Sequence, residues 1–443
     1  MYCSICGDRI EPSRVPGRLE MNVHRRAGLA CLGLGIGCIS ACAWGQTEWW
    51  FRSNVFRTKY YHVKTDLPRD QALELAHHMD MTFDAYAEMF AGLRVRRPAK
   101  LDMYLFATEQ DYLQTLRARF GNDGRNSWGK CITRGKLISL VAWKGRHGVE
   151  AVKALLQHEG FHQFSSHLFP KLPTWADEGL AEVFERGVAF DDRIVLGEVS
   201  ENDKRRLAKA IEGKRFRPLR QVFTIEQSQW NEEVRQGNAQ VNYVQAWSLV
   251  HFFLYGEDGR HQRKFIKFLV GLNQGVGWKR AFVAAFGNPN VSAVEQAWMD
   301  YVAQLPPMDY EETIRRMEFL AVGVSELRQH TQYPVSLGEL KQGLRQINFE
   351  YTSKLFGESR ALSASDEQLF QVPFASITQT NPTFQLVESS GRNPQRRAAG
   401  KRKARRPPPP PDIVTDGLEP RNFAVRWKRV RGKSDYTPWF VAE

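Results

Sequence analysis

His158-Glu159-Gly160-Phe161-His162, followed at Trp175-Ala176-Asp177-Glu178-Gly179-Leu180-Ala181-Glu182 by a second run rich in acid, is the stretch that decides the fold. Residues four apart on an α-helix lie one above the other on the same face. His158 and His162 can therefore aim two imidazole nitrogens at one cation. Glu159 sits roughly a quarter of a turn round the axis from His158, within reach of a water on that cation but badly placed to join the histidines as a ligand. A catalytic zinc takes three protein ligands and keeps a further position for water, so the pair leaves one ligand to be found. The stretch from Leu172 supplies it. Pro173 suits the opening turn of a helix, and the residues after it put Glu178 and Glu182 on one face, with Glu178 the expected third ligand. The expectation is a Zn2+ centre on His158, His162 and Glu178 with Glu159 as general base. The rival is a helix carrying two satisfied histidines and a solvated glutamate. Gly160 costs a helix about 1 kcal/mol relative to alanine, and such a residue marks close backbone approach.

These residues resemble the gluzincin branch of zinc metallopeptidases, and within it the bacterial peptidase-MA-like group that pairs H-E-x-x-H with W-x-x-E-G-L-A. The likeness is strong from His158 to Glu185 and extends in general layout from about Phe51 to Leu305. It implies His158, His162 and Glu178 as ligands and Glu159 as base. It also puts Glu182 where thermolysin-like enzymes carry an acid one turn after the ligand glutamate, implying that Glu182 holds His158 by its other ring nitrogen. Gluzincins commonly recruit a tyrosine or histidine from a later helix as the donor opposite the metal. Tyr243 is the first candidate for that role and His251 the second. Tyr243, Trp247 and His251 are spaced four apart, and the same spacing also describes the packing face of a core helix. The spacing between His162 and Glu178 differs from the aminopeptidase and thermolysin branches, so no specificity carries over.

The reaction implied is hydrolysis of an amide. Zinc polarises the scissile carbonyl and lowers the pKa of its water to about 7, while Glu159 accepts the water proton and returns it to the leaving amine. The expected substrate is a peptide or an unfolded protein segment. Two alternatives stay open: a non-catalytic envelope binding protein on a metallopeptidase scaffold, and a hydrolase of a non-peptide amide.

With 443 residues, 42% hydrophobic and 25% charged, the chain can bury a sizeable core and is neither disordered nor collagen-like in composition. Cys3, Cys6, Cys31, Cys38 and Cys42 precede residue 43, which leaves Cys131 alone in the body and excludes a disulfide framework there. Cys3 and Cys6 form a lone C-x-x-C, and residues 1–20 read as an upstream extension. From Met21 a basic start at Arg25 and Arg26 leads into an apolar run to Ile39, too short to span a bilayer and suited to an export signal over 21–42. Ile39-Ser40-Ala41-Cys42 resembles a bacterial lipobox and implies a lipid anchor at Cys42; a plain signal cut near Ala43 is the rival. The expected location is the bacterial envelope or periplasm.

Along the body the pattern predicts an α+β domain over 48–305: strands at Lys59 to Val63 and Lys100 to Phe106 and a helix over Leu67 to Phe90 capped by Asp66. A hairpin of Gly129 to Thr133 and Lys136 to Trp143 turns at Arg134-Gly135. The second hairpin strand, Leu137 to Val141, is the expected sheet edge on which an extended substrate docks, unless it is an interior strand. Helices follow at Glu201 to Glu212, Val241 to Tyr255, Arg260 to Leu272, Trp278 to Phe286 and Val291 to Leu305, the first with a capping box from Ser200 and Asp203.

Residues 306–358 read as a helical accessory segment, and 359–443 as a low-complexity linker and poorly ordered tail in which Asn422 to Trp427 and Thr437 to Val441 could pair as strands. From 387 to 443 there are 14 Lys and Arg against 6 Asp and Glu, so +8 of the chain's +13 lies in the tail. That argues against a specific nucleic-acid partner for the catalytic domain. The tail is either attracted to an anionic envelope surface or a solvated linker.

Overall fold

The computed structural model describes residues 54–443 apart from 94–99, 125–126, 136, 191, 238, 288–289, 306–307, 374–380, 390–408, 419–420, 431–435 and 443. The expected export signal, lipobox and C-x-x-C lie outside the described residues, as does the arginine-rich run 391–406. No helix among the described residues is long and apolar enough to cross a membrane.

The architecture is α+β. It begins with β1 (Asn54–Arg57), β2 (Tyr61–Thr65), α1 (Arg69–Met89), β3 (Leu101–Phe106) and α2 (Glu109–Thr115). These are followed by β4 (Gly129–Arg134), β5 (Leu137–Trp143), α3 (Val149–Leu168) and α4 (Thr174–Glu185). Five strands form one sheet in the order β1-β2-β3-β5-β4. The three central strands run parallel, and β1 and β4 close the two edges antiparallel. Strand β2 begins later than its β-branched and aromatic residues suggest, because Asp80 of α1 captures the N–H groups of Lys59 and Tyr60 at 3.0 and 2.9 Å and holds them in a turn. Asp66 does not cap α1. Pro68 takes that position, and the Asp66 carboxylate accepts the Ala107 N–H at 2.7 Å, tying the start of α1 to the end of β3.

Helices α1 and α3 cover one face of the sheet, packing Phe83 and Tyr86 against Phe161 and Phe164. Gly160 permits this contact. A Cβ there would lie 2.5 Å from Met79 Cε and 3.0 Å from the Tyr86 hydroxyl, which itself donates to the Gln157 carbonyl. The other face carries a separate cluster of Tyr104, Phe106, Tyr112, Leu116, Phe120 and Val141 under α2 and the π-helical turn that follows it.

The chain then makes a small hairpin, β6 (Val188–Phe190) and β7 (Arg193–Val195), and enters a helical region. This comprises α5 (Glu201–Glu212), α6 (Leu219–Val222), α7 (Gln227–Arg235), α8 (Ala239–Tyr255), α9 (Gln262–Asn273), α10 (Trp278–Phe286) and α11 (Val291–Gln304). The Ser200–Asp203 capping box is present in full. Helix α8 is buried from Val241 to Leu254 and serves as the spine against which α4 lies. Their closest approach is at Gly179, where a Cβ would stand 2.6 Å from the Ala246 carbonyl oxygen.

Beyond residue 306 lie α12 (Tyr310–Gln329), α13 (Leu337–Gln346) and the hairpin β8 (Glu350–Ser353) and β9 (Arg360–Ser363). The end of the chain is more ordered than its composition suggests. Strands β10 (Thr383–Val387), β11 (Asp412–Asp416), β12 (Phe423–Arg429) and β13 (Tyr436–Ala442) form a four-stranded antiparallel sheet. The terminal pair expected from the sequence is its second half. The sheet returns to the body of the protein through Phe423, edge-on to Tyr310 at 4.9 Å, and Phe440, edge-on to Phe190 at 4.6 Å.

Candidate metal centre

Helix α3 sets His158 and His162 one turn apart with ring centroids 4.9 Å from each other, and α4 lays Glu178 across them. Glu178 Oε2 stands 3.5 Å from His158 Nε2 and 3.6 Å from His162 Nε2. A tetrahedral ion with metal–ligand bonds of about 2.0–2.2 Å separates its ligand atoms by about 3.4 Å. The three donors therefore stand almost where a single bound cation would hold them. All three residues are buried: His158 is 0%, Glu178 3% and His162 6% exposed. Among the described residues His158 Nε2 and Glu178 Oε2 have no hydrogen-bond partner, an arrangement that costs free energy unless something else satisfies them. Buried His158, His162 and Glu178 could hold a metal ion.

The opposite nitrogens of the two imidazoles support this. His158 Nδ1 lies 2.8 Å from Glu185 Oε2, and His162 Nδ1 lies 3.0 Å from Asp177 Oδ2. A carboxylate only accepts, so each Nδ1 carries a hydrogen, and a metal that displaces the second proton of the ring finds the Nε2 lone pair facing inward, the tautomer it requires. Asp177 is itself steadied by the Ser165 hydroxyl, which donates to its second oxygen at 2.6 Å.

Here the expectation for Glu182 is corrected. Its Oε1 is 3.9 Å from His158 Nδ1, beyond hydrogen-bond range. The carboxylate is taken by Arg186 at 2.7 Å, one turn further along α4, and Arg186 also binds Asp203 at 3.0 Å and lies over the Trp247 ring. Glu185, two turns after Glu178 on the same face, holds His158 in its place.

The electrostatics follow this pairing. Burial pushes Glu178 up, but the positive charge of His162 and the close approach of both imidazoles outweigh it and hold the carboxyl at about 2. Burial likewise opposes the charge on His158, and Glu178 and Glu185 more than compensate, lifting the imidazole well above its ordinary value. Glu185 is lowered despite its burial, chiefly by its bond to His158. Glu182 is raised by burial in spite of Arg186.

Glu159 is fully buried beside the trio, and its Oε2 accepts the backbone N–H of Cys131 at 2.7 Å. Cys131 belongs to β4, opposite Leu140 of β5. Its N–H therefore points away from β5 and out of the sheet edge. The edge beside the site is thus β4. Strand β5, the expected docking edge, lies between β3 and β4 with both sides paired, because the hairpin folds its first strand outward.

Tyr243 is on α8, buried, with its ring edge-on to Trp230 at 5.3 Å. His251 is not available as an oxyanion donor. Its Nδ1 lies 2.7 Å from the Tyr301 hydroxyl and its Nε2 3.2 Å from the Gly197 carbonyl. Since a carbonyl only accepts, Nε2 donates and Nδ1 receives the tyrosine proton. Burial lowers the pKa of this ring to about 4, so it is a neutral strut between α8, α11 and the loop before α5.

Fold and site together define an α+β protein whose two adjacent helices carry a buried cluster of two histidines and a glutamate able to take a metal ion. Residues 151–272 match the family described as a protein of unknown function (DUF1570). That stretch runs from α3 to the end of α9 and contains His158, Glu159, His162, Glu178, Glu185, Tyr243 and His251. No curated protein matches the chain.

Proposed function

We propose that the protein is a zinc-dependent peptidase of the gluzincin type, with His158, His162 and Glu178 as ligands and Glu159 as general base. The observation that carries this is the convergence of three buried donor atoms, two of the contacts at 3.5 and 3.6 Å, with a second buried acid, Glu159, oriented by a sheet edge. A zinc ion held by the trio would supply a Lewis acid and a water of pKa about 7.

The remaining work belongs to the chain. Glu159 takes the proton of the attacking water and delivers it to the departing amine. Its bond to Cys131 N–H keeps the carboxylate from turning away. Glu185 and Asp177 fix the two imidazoles in the metal-binding tautomer. Gly129 and Thr133 share the outward register of Cys131 on β4, so their main-chain groups suit an extended peptide laid antiparallel or parallel to that edge. Tyr243 is assigned the donor to the oxyanion. An export signal over 21–42 and work in the cell envelope complete the proposal.

The test is metal analysis and a peptide-hydrolysis assay of the full chain and of Glu159→Gln. About one zinc per chain is expected in both, with hydrolysis lost in the variant alone. Equal hydrolysis removes Glu159 as base, and a wild type that takes up no metal removes the centre.

A further inference from the structure

On the side of α3 away from the metal, a cavity of about 450 Å³ opens where α1, the first turn of α3, β6, α12 and β13 meet. Val149 and Glu150 belong to its wall; Val149 lies nine residues from His158, two and a half turns, and so on the opposite face of the helix. The volume falls within the range of roughly 300–1,000 Å³ found for small-molecule sites.

Two features of the wall are unusual in combination. The first is a set of aromatic rings left partly uncovered: Phe190, Phe356, Trp439 and Phe440. Trp439 is 43% exposed, and Phe190 meets Phe440 edge-on at 4.6 Å and Phe356 at 6.3 Å. Large rings normally complete their burial against a neighbour, and a group of them around one opening marks a binding surface. The second is charge. Glu74, Glu150 and Glu318 line the same cavity against a single ammonium, Lys153, which leaves a surplus of two negative charges. Lys153 sits 2.9 Å from both Glu74 and Glu150. Glu318 receives the hydroxyls of Tyr351 and Ser353 at 2.8 and 2.6 Å, both neutral donors, and the Arg315 guanidinium donates to the same Ser353 hydroxyl at 3.3 Å.

Aromatic faces and carboxylates have one ligand chemistry in common. The negative face of a ring attracts a cation, most strongly when the ring is tryptophan, and a carboxylate completes the pairing. The wall already handles cations in this manner, since the Arg315 guanidinium lies over the Phe356 ring at 5.7 Å. Phe356 has φ 56° and ψ 34°, the left-handed region that a bulky side chain rarely enters.

From this cavity we propose a binding site for an organic cation, an ammonium or guanidinium group on an aliphatic stem, held between Trp439 and the carboxylates of Glu318 and Glu150. The site is independent of the metal centre and of the peptidase reading.

The test is calorimetric titration of the full chain with arginine amide acetylated on its α-amine, with the equally acetylated and therefore uncharged citrulline amide as control and a blocked pentapeptide with a central arginine as a second ligand. Arginine amide binds saturably and citrulline amide does not. Trp439→Ala, which removes a half-exposed ring, weakens arginine amide about tenfold, and Glu150→Gln weakens it in the same direction. Zinc content stays unchanged in both variants. A pentapeptide that binds more tightly than arginine amide identifies the source as a polypeptide side chain; equal binding identifies a free small cation. Equal affinity for arginine amide and citrulline amide, absence of saturable binding, or binding untouched by Trp439→Ala in a protein of native circular dichroism overturns the proposal.

Discussion

The assignment of Glu185, not Glu182, to the His158 ring gives a direct quantitative test. Glu185 Oε2 is 2.8 Å from His158 Nδ1, and the imidazole is fully buried. Removing the carboxylate leaves a buried N–H without its acceptor and lets the neutral ring adopt the tautomer that cannot bind through Nε2. Loss of such a partner weakens metal affinity by about 10–100-fold, or about 1.4–2.7 kcal/mol. A charge-assisted hydrogen bond of about 1.5–3 kcal/mol accounts for a loss of that size. Glu182, at 3.9 Å from the same nitrogen and bound to Arg186, should matter far less. The assay is competition for zinc between the full chain and a chromophoric chelator of known affinity, with Glu185→Ala, Glu185→Gln and Glu182→Gln compared with wild type. Glu185→Ala falls in the stated range. Glu185→Gln, whose amide oxygen can still accept, falls between it and wild type, and Glu182→Gln stays within about threefold. Melting of the metal-free proteins separates loss of affinity from loss of fold. A Glu182→Gln variant that loses as much zinc affinity as Glu185→Ala, with its fold intact, would refute the assignment.

Two further outcomes concern stability. Glu198 is partly buried, and desolvation together with Asp309 and Glu311 raises it to about 8 against the N–H it accepts from Tyr310. The folded protein thus holds a proton that the unfolded chain releases near 4.5, so stability present below that value is lost as pH climbs through 8, in total by about 5 kcal/mol. Glu198→Gln, which keeps the acceptor oxygen, should match wild type in melting temperature at pH 5 and exceed it at pH 8.5; a difference independent of pH counts against the partly buried acid. Gly179→Ala would drive a Cβ to 2.6 Å from a backbone oxygen of α8 that cannot rotate away. A cost of about 1–3 kcal/mol in urea unfolding, with reduced zinc retention because Glu178 is the adjacent residue, is expected; a variant as stable as wild type would mean that α4 and α8 separate at no cost.

What the sequence disclosed and what it concealed divide by the range of the interaction. His158 and His162 were legible because one turn of helix brings them together whatever surrounds them, and Glu178 because the following helix begins at a proline and carries its acids on one stripe. The hairpin β4–β5 was legible from its turn, yet which strand lies outermost depends on β5 pairing in parallel with β3, a contact between segments more than thirty residues apart that no local pattern encodes. The C-terminal sheet was hidden for a similar reason. Val387 pairs with Asp412 across a basic and proline-rich insertion whose composition masks the alternation on either side.

Glu182 and Glu185 are a different case, because the signal was present and local. Positions four and seven after Glu178 share its face, and periodicity alone cannot choose between them. Arg186, however, lies four residues after Glu182, the spacing at which a glutamate and a following arginine pair on a helix, and its guanidinium also meets Asp203 on the next helix at 3.0 Å. Once Arg186 claims Glu182, Glu185 is the acid left to reach His158. The same logic applies to Asp177: it precedes the ligand glutamate by one residue, and this turns its carboxylate toward the second histidine while Glu178 faces the point between both. In this chain α4 therefore supplies the carboxylate of the candidate metal centre and the partner of each imidazole from a span of nine residues, 177 to 185, and the orientation of the whole centre depends on how closely Gly179 lets that helix approach α8.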